Sequence, residues 1–263
     1  MGPRARGITA DGVFNCNASA AVSDNVYEHG GAWNRAPRAE DGPLRSIVTW
    51  AAVLVVCIAA TALLAASARG QTEPPASGDW RVYDSTFISN RTVELHGNLT
   101  VQSGGRLTLQ NVTLRVHSAS STVLMGIDVK GYASLYIKDN DGNESTSYDR
   151  TLITRGVPSL PYTFLVEGYI GCWNSAIFGA GAHGTVGGLE VHDGGADFWG
   201  TTISTGHDFC LGFVGAGVHN TNTVWNCTLM LSDGAGLMAV DSTDIFIFGC
   251  RVVSNAGNGL GSI

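Results

Sequence analysis

The chain has 263 residues, of which 35 are glycine, 44% are hydrophobic and only 14% are charged, with a net charge of −7. That apolar content excludes a disordered polar chain, glycines without a three-residue period exclude collagen, and the acidic balance excludes a protein that neutralises nucleic-acid phosphates. High glycine with low charge predicts many short strands joined by tight corners.

Residues 1–45 carry neither a helical nor an alternating apolar period and are rich in turn-forming stretches such as NRAPRAEDGP. They read as a disordered cytoplasmic tail, or as translation from a start codon set too far upstream. Ser46–Ala68 follows, 23 residues without a charge. At 1.5 Å per residue such a helix crosses a hydrocarbon core of about 30 Å. Ala66-Ser67-Ala68 has the small-x-small form of a signal-peptidase site, whereas the length of the apolar run and the long stretch ahead of it favour a retained anchor. Arg35, Arg38 and Arg45 upstream outnumber Arg69 and Arg81 downstream, which directs the carboxyl part outward. Both readings therefore export the rest, as an extracellular domain on the cell membrane or as a protein secreted after cleavage near Ala68. Residues 69–79 form an exposed linker stiffened by Pro74-Pro75.

From residue 80 onward the pattern changes to alternation. Val93, Leu95, Leu99, Val101, Leu107, Leu109, Val112, Leu114 and Val116 alternate in short runs broken by HGN, SGG and QN, the signature of strands. Five of the eleven asparagines after the apolar span, Asn90, Asn98, Asn111, Asn143 and Asn226, begin glycosylation triplets, against roughly two by chance. As a group they favour a surface glycoprotein.

The last third repeats. Thr201, Cys227 and Cys250 fall in one column, spaced 26 and 23 residues apart. Trp199, Trp225 and Phe248 stand two residues earlier, and Ile203, Leu229 and Val252 two later. Leu211, Leu237 and Leu260 form a further column, preceded by Cys210, Gly236 and Gly259. Columns that stay apolar at period-2 offsets predict that one face of each copy turns inward. Repeats of this length, made of strands and glycine corners, bury a core only by stacking on neighbours. The predicted fold is all-β, a right-handed parallel β-helix over residues 80–263, preceded by the hydrophobic helix. A sandwich or propeller fits less well, because hairpin turns at regular spacing are missing. The last copy stops in mid-strand at Ile263, so the sequence reads as part of a longer protein.

The segments GNLTVQSGGRLTLQNVTLRV (97–116) and SNAGNGLGSI (254–263) resemble the pectin-lyase-like β-helix families of surface proteins, archaeal ones included. The resemblance concerns the fold. Pectate lyases of that fold use arginine or lysine bases and calcium-binding aspartates, and related hydrolases use paired aspartates with Gly-His-Gly. Neither constellation is present in this sequence.

Two groups of residues carry possible chemistry. Asp193, His219 and Ser242 stand eight residues before the Thr/Cys column, and His207 lies between the first two copies. An acid, a histidine and a serine in a row suit acid–base or nucleophilic work, or metal binding through histidine and aspartate, but a polar solvent-facing corner is the favoured reading. Asp139, Asp141, Asn143, Glu144 and Asp149 form a second group of oxygen donors suited to calcium, without the spacing of an EF-hand. Cys227 and Cys250 are expected as stacked free thiols, because directly stacked parallel positions aim both Cβ vectors the same way. The function expected is a non-catalytic adhesion, envelope or carbohydrate-binding role. Extracellular polysaccharide or other envelope proteins would be the partners, with no cofactor beyond possible calcium. A polysaccharide lyase or hydrolase, or a periplasmic metal-handling β-helix protein, is the alternative.

Overall fold

A computed structural model of the chain describes residues 72–143, 146, 148–182, 184–216 and 221–262. The predicted tail at 1–45 and the apolar span at 46–68 lie outside these residues, as do Glu144, His219 and Ile263. Among the described residues all regular elements are strands, and no helix is long and apolar enough to cross a membrane.

The chain first lays down strands in pairs: β1 (Trp80–Val82) and β2 (Ser85–Leu95), then β3 (Leu99–Val101) and β4 (Arg106–Val116). It continues in threes with β5 (Gly126–Val129), β6 (Ser134–Lys138) and β7 (Leu152–Arg155), then β8 (Thr163–Val166), β9 (Tyr169–Trp173) and β10 (Ala176–Phe178). Next come β11 (Leu189–His192), β12 (Gly195–Trp199) and β13 (Thr202–Ser204), then β14 (Phe209–Val214), β15 (Asn222–Trp225) and β16 (Thr228–Met230). The last are β17 (Ala235–Val240), β18 (Ile245–Phe248), β19 (Arg251–Val253) and β20 (Leu260–Ser262).

Among the described residues the strand pairings are all parallel, and they form two curled sheets. One has eight strands in the order β1-β3-β5-β8-β11-β14-β17-β20. The other has twelve and divides at β4, whose first half pairs with β6 and second half with β7. From β4 one branch continues through β9, β12, β15 and β18, the other through β10, β13, β16 and β19.

Register aligns like with like. Trp80, Leu99, Ile127, Phe164, Leu189, Leu211, Leu237 and Leu260 pair in succession along the eight-stranded sheet. Leu114, Ile153, Ile177, Ile203, Leu229 and Val252 do so along the second branch. Apart from Leu260, which is exposed on the last strand, these columns fill the core, and the first five of the second-branch residues are at most 1% exposed. Alternation explains the choice: Leu107 and Leu109 point inward on β4 while Arg106 and Gln110 point away.

The pairing reproduces the columns read from the sequence, with one correction. The Trp199, Trp225 and Phe248 column faces solvent, at 40%, 41% and 64% exposure, instead of joining the inward set. A single left-handed residue separates it from the buried Thr201 and Cys227 positions, namely Gly200, Asn226 or Gly249, with φ of 58°, 52° and 62°. This corner rotates the chain between the two branches and breaks the period-2 phase. Asn90, Asn111 and Asn174 hold the same conformation at the equivalent corners earlier in the chain. Asparagine is among the few residues with a Cβ that tolerate it.

Candidate functional site

The outer face of β4, β6, β9, β12, β15 and β18 carries the densest set of exposed rings. One outward column runs Thr108, Tyr136, Gly171, Asp197, Thr223 and Phe246, and its neighbour runs Gln110, Lys138, Trp173, Trp199, Trp225 and Phe248. Parallel strands stand about 4.8 Å apart, so flat side chains in one column stack. Trp199 and Trp225 have ring centroids 5.4 Å apart at 20°, and Trp225 and Phe248 are 4.9 Å apart at 8°.

Trp173 behaves differently because Gly171 leaves space beside it. A Cβ at Gly171 would come within 2.1 Å of the Trp173 ring. The indole folds over that glycine and stacks on Tyr136 at 5.9 Å and 7°. The Arg106 guanidinium lies 4.3 Å above the Tyr136 ring, a cation–π contact. Tyr169 meets Tyr136 at a tilt of 50° and donates its hydroxyl to Asp197 Oδ2 at 2.7 Å. Burial, and then this carboxylate, hold the Tyr169 phenol above its ordinary value, so it stays a donor.

Beside these rings lies an open groove of about 630 Å³ bordered by Tyr132, Ser134, Glu167, Tyr169 and Asp193. Tyr132 is 94% exposed and sits at φ 63°, a left-handed conformation that is strained for a bulky residue. Glu167 pairs with Lys130 at 3.4 Å, and Lys130 also reaches Asp128 at 3.7 Å. The face therefore combines ring surfaces with carboxylate acceptors.

Of the predicted acid–histidine–serine row, the described residues include Asp193 and Ser242. Asp193 is exposed at the corner after β11, at φ 50°, next to Gly215, whose Cβ would meet its Oδ1 at 2.7 Å. Ser242 is occupied by its own corner, donating to the Val240 carbonyl at 2.8 Å and accepting from the Ala216 N–H at 3.1 Å. His207 bonds Asp208 through Nδ1 at 2.8 Å. It precedes β14, whereas Asp193 follows β11, at the other end of the same sheet's strands. About six residues of strand rise, roughly 20 Å, separate them. Their partner in the sequence pattern, His219, lies outside the described residues.

The oxygen-rich segment lies between β6 and β7, and its described residues, 139–143, 146 and 148–150, belong to no strand. Thr151 donates to the Lys138 carbonyl at 2.6 Å. Asp139 and Asp149 are each only 5% exposed. Burial raises the Asp139 carboxyl above its ordinary value; Asn174 opposes the shift, and Asp141 and Asp149 add to it. Asp141 is exposed and accepts from the Asn143 N–H at 2.8 Å, which tightens the chain there. Asp149 Oδ1 is buried without a hydrogen-bond partner. Among the described residues no three acidic, histidine or cysteine side chains converge as a ready metal cage.

The glycosylation triplets divide by exposure. Asn90, Asn143 and Asn226 are exposed, while Asn98 and Asn111 are half-buried. Asn98 donates to Asp79 at 3.1 Å and accepts from the Gly126 N–H at 2.9 Å. Asn111 donates to Asn90 Oδ1 at 2.9 Å. Cys172, Cys210, Cys227 and Cys250 are free thiols. Burial pushes Cys172 and Cys227 up to about 12, which removes them from nucleophilic chemistry at neutral pH.

Sequence reasoning found the Trp199–Trp225–Phe248 column but missed Arg106, Tyr132, Tyr136, Tyr169 and Trp173. The signal for these was the alternation of SLYIK and YIGCW, two segments that pair residue for residue. Together the fold and this face define an all-β protein of parallel strands in curled sheets with an aromatic, acid-flanked outer surface. Neither protein-family models, nor curated proteins, nor solved structures contain a match to the chain.

Proposed function

We propose that this is a cell-surface protein whose aromatic face holds extracellular polysaccharide without cleaving it. The strands wind as a right-handed parallel β-helix of the pectin-lyase-like kind, a hand favoured by the general preference for right-handed crossovers between parallel strands. The apolar segment 46–68 anchors the chain in the membrane, or the chain is secreted after cleavage near Ala68. The glycosylation triplets at Asn90, Asn143 and Asn226 are then open to modification.

One observation carries the reading: a groove bordered by the exposed Tyr132 ring and the carboxylates of Glu167 and Asp193 lies beside a face of stacked rings. A pyranose ring offers apolar C–H faces and a rim of hydroxyl groups. Tyr132, with nearly all of its ring in solvent, supplies a surface for such a face, and the carboxylates of Glu167, Asp193 and Asp197 accept hydroxyl hydrogens. The stacks Trp199–Trp225–Phe248 and Tyr136–Trp173 extend the contact along the strand-stacking direction, which suits a linear polymer better than a single sugar. Cleavage would need an acid or base converging on the bound bond, and the candidates Asp193 and His207 stand far apart.

The test is affinity electrophoresis of the purified chain through gels containing a panel of neutral and acidic polysaccharides. Retardation by at least one polymer, with no new reducing ends or unsaturated products, is expected. Y132A and W225A should each weaken it about fivefold, on the scale of one lost ring contact of about 1 kcal/mol. Retardation unchanged in both variants, or accumulation of cleaved product, would overturn the proposal.

A further inference from the structure

The groove beside the aromatic face has a charge bias that narrows the polymer it holds, an inference that rests on the polysaccharide reading above. Its walls come from equivalent corners after three neighbouring strands of the eight-stranded sheet, β5, β8 and β11, in which Val129, Val166 and Val191 pair in register. The first corner contributes Tyr132, the second Glu167 and the third Asp193. Neighbouring parallel strands stand about 4.8 Å apart, so one exposed ring is followed by two carboxylates along the direction of strand stacking. Ser134 and Tyr169, which open the strands after the first two corners, pair with each other and complete the floor.

No cationic residue lines this groove. Lys130, on the corner of Tyr132, reaches Glu167 at 3.4 Å and Asp128 at 3.7 Å, so a single ammonium is divided between two carboxylates. Among the described residues no ion pair reaches Asp193. Gly215 leaves room for the Asp193 carboxylate, since a Cβ there would come within 2.7 Å of its Oδ1. An acidic sugar in such a groove meets like charge, and a neutral one finds only hydroxyl acceptors. An ammonium group is attracted by both carboxylates and by the face of an exposed phenol ring.

We propose that the groove selects polysaccharides that carry free amino groups, with a sugar ring against Tyr132 and its ammonium at Glu167 and Asp193. Recognition then has two parts: the rings hold sugar of any charge, and the carboxylates choose among sugars.

The experiment compares a β-1,4-linked glucosamine hexamer with its fully N-acetylated form, titrated into the full chain by calorimetry. Low ionic strength and slightly acid pH keep the sugar amines protonated. The amine form should bind about fivefold more tightly, the scale of two exposed ion pairs. E167Q and D193N should each cut that ratio by about half, and the double variant should bring it to about one. Asparagine tolerates the φ of 50° at position 193, so the corner keeps its shape. Y132A should weaken both hexamers, D84N, at an exposed acid, should keep the wild-type ratio, and about 0.5 M salt should erase it. Tetralysine, which has ammonium groups but no sugar ring, should bind more weakly than the glucosamine hexamer. Equal binding of the two hexamers, binding of neither, a ratio unchanged in the double variant, or tighter binding of tetralysine would overturn the proposal. If gels of other polysaccharides still retard the chain, the polysaccharide reading stands and only the selection for amines falls.

Discussion

Replacing Asn111 by alanine tests whether the corner asparagines hold the two branches of the larger sheet together. Asn111 stands at φ 52°, and its Nδ2 donates to Asn90 Oδ1 at 2.9 Å. Alanine at a left-handed position suffers a Cβ–carbonyl clash that costs roughly 1–2 kcal/mol, and the side-chain bond is worth about 1 kcal/mol net. N111A should therefore lose about 2–3 kcal/mol, a large part of the 5–15 kcal/mol that a typical protein has in total. Glycine loses the bond but not the conformation, so N111G should lose about 1.5 kcal/mol, including its greater freedom when unfolded. Urea unfolding with an unchanged slope provides the comparison. The double variant N90A/N111A should be less destabilised than the sum of the single ones, by about the value of the shared bond. If N111A proves as stable as N111G, the left-handed corner is not what Asn111 supplies, and the reasoning fails.

Two further outcomes follow from ionisable groups. Glu94 accepts from His117 Nε2 at 2.6 Å and from Arg115 at 2.9 Å; the histidine bond, then the arginine, hold its carboxyl below the ordinary 4.5. A depressed carboxyl stabilises the fold above its unfolded value, and that stability is lost as pH falls through the folded value. Urea midpoints taken from about pH 6 to about pH 3 should therefore fall less steeply in E94Q than in the wild type. For the thiols, iodoacetamide at about pH 8 should leave Cys172 and Cys227 unmodified in the native chain and label them after denaturation, because burial disfavours the thiolate. Half-buried Cys250 should react before either of them, and peptide mass mapping would expose any reversal of that order.

The carboxyl third was legible because its last copies differ little in length, so Trp199, Trp225 and Phe248 align by simple counting. Earlier copies carry unequal connections, among them the segments 117–125 and 139–150, and there the same columns are scattered in the sequence. In β2 and β4 the two branches merge into one 11-residue strand, so the corner at Asn90 or Asn111 reads as ordinary alternation. The direction of the tryptophan column was misread for a related reason. Period-2 phase holds only within a strand, and a single left-handed Gly200 or Asn226 resets it. Of the candidate site, the sequence revealed the residue types of segment 139–150 but not the burial of Asp139 and Asp149. The groove beside Tyr132 was invisible, because its walls come from corners far apart in the chain.

Segment 139–150 also indicates how such a framework could diversify. Lys138 and Thr151 flank it, yet Lys138 pairs in register with Trp173, and Leu152, the residue after Thr151, with Ala176, as their counterparts do where the same corner is a single asparagine or glycine. Closing a longer loop costs only the logarithm of its length, and the strands on either side keep their alignment. The corner therefore serves as a splice point where new recognition segments can be grafted while the stacked columns beneath retain their order.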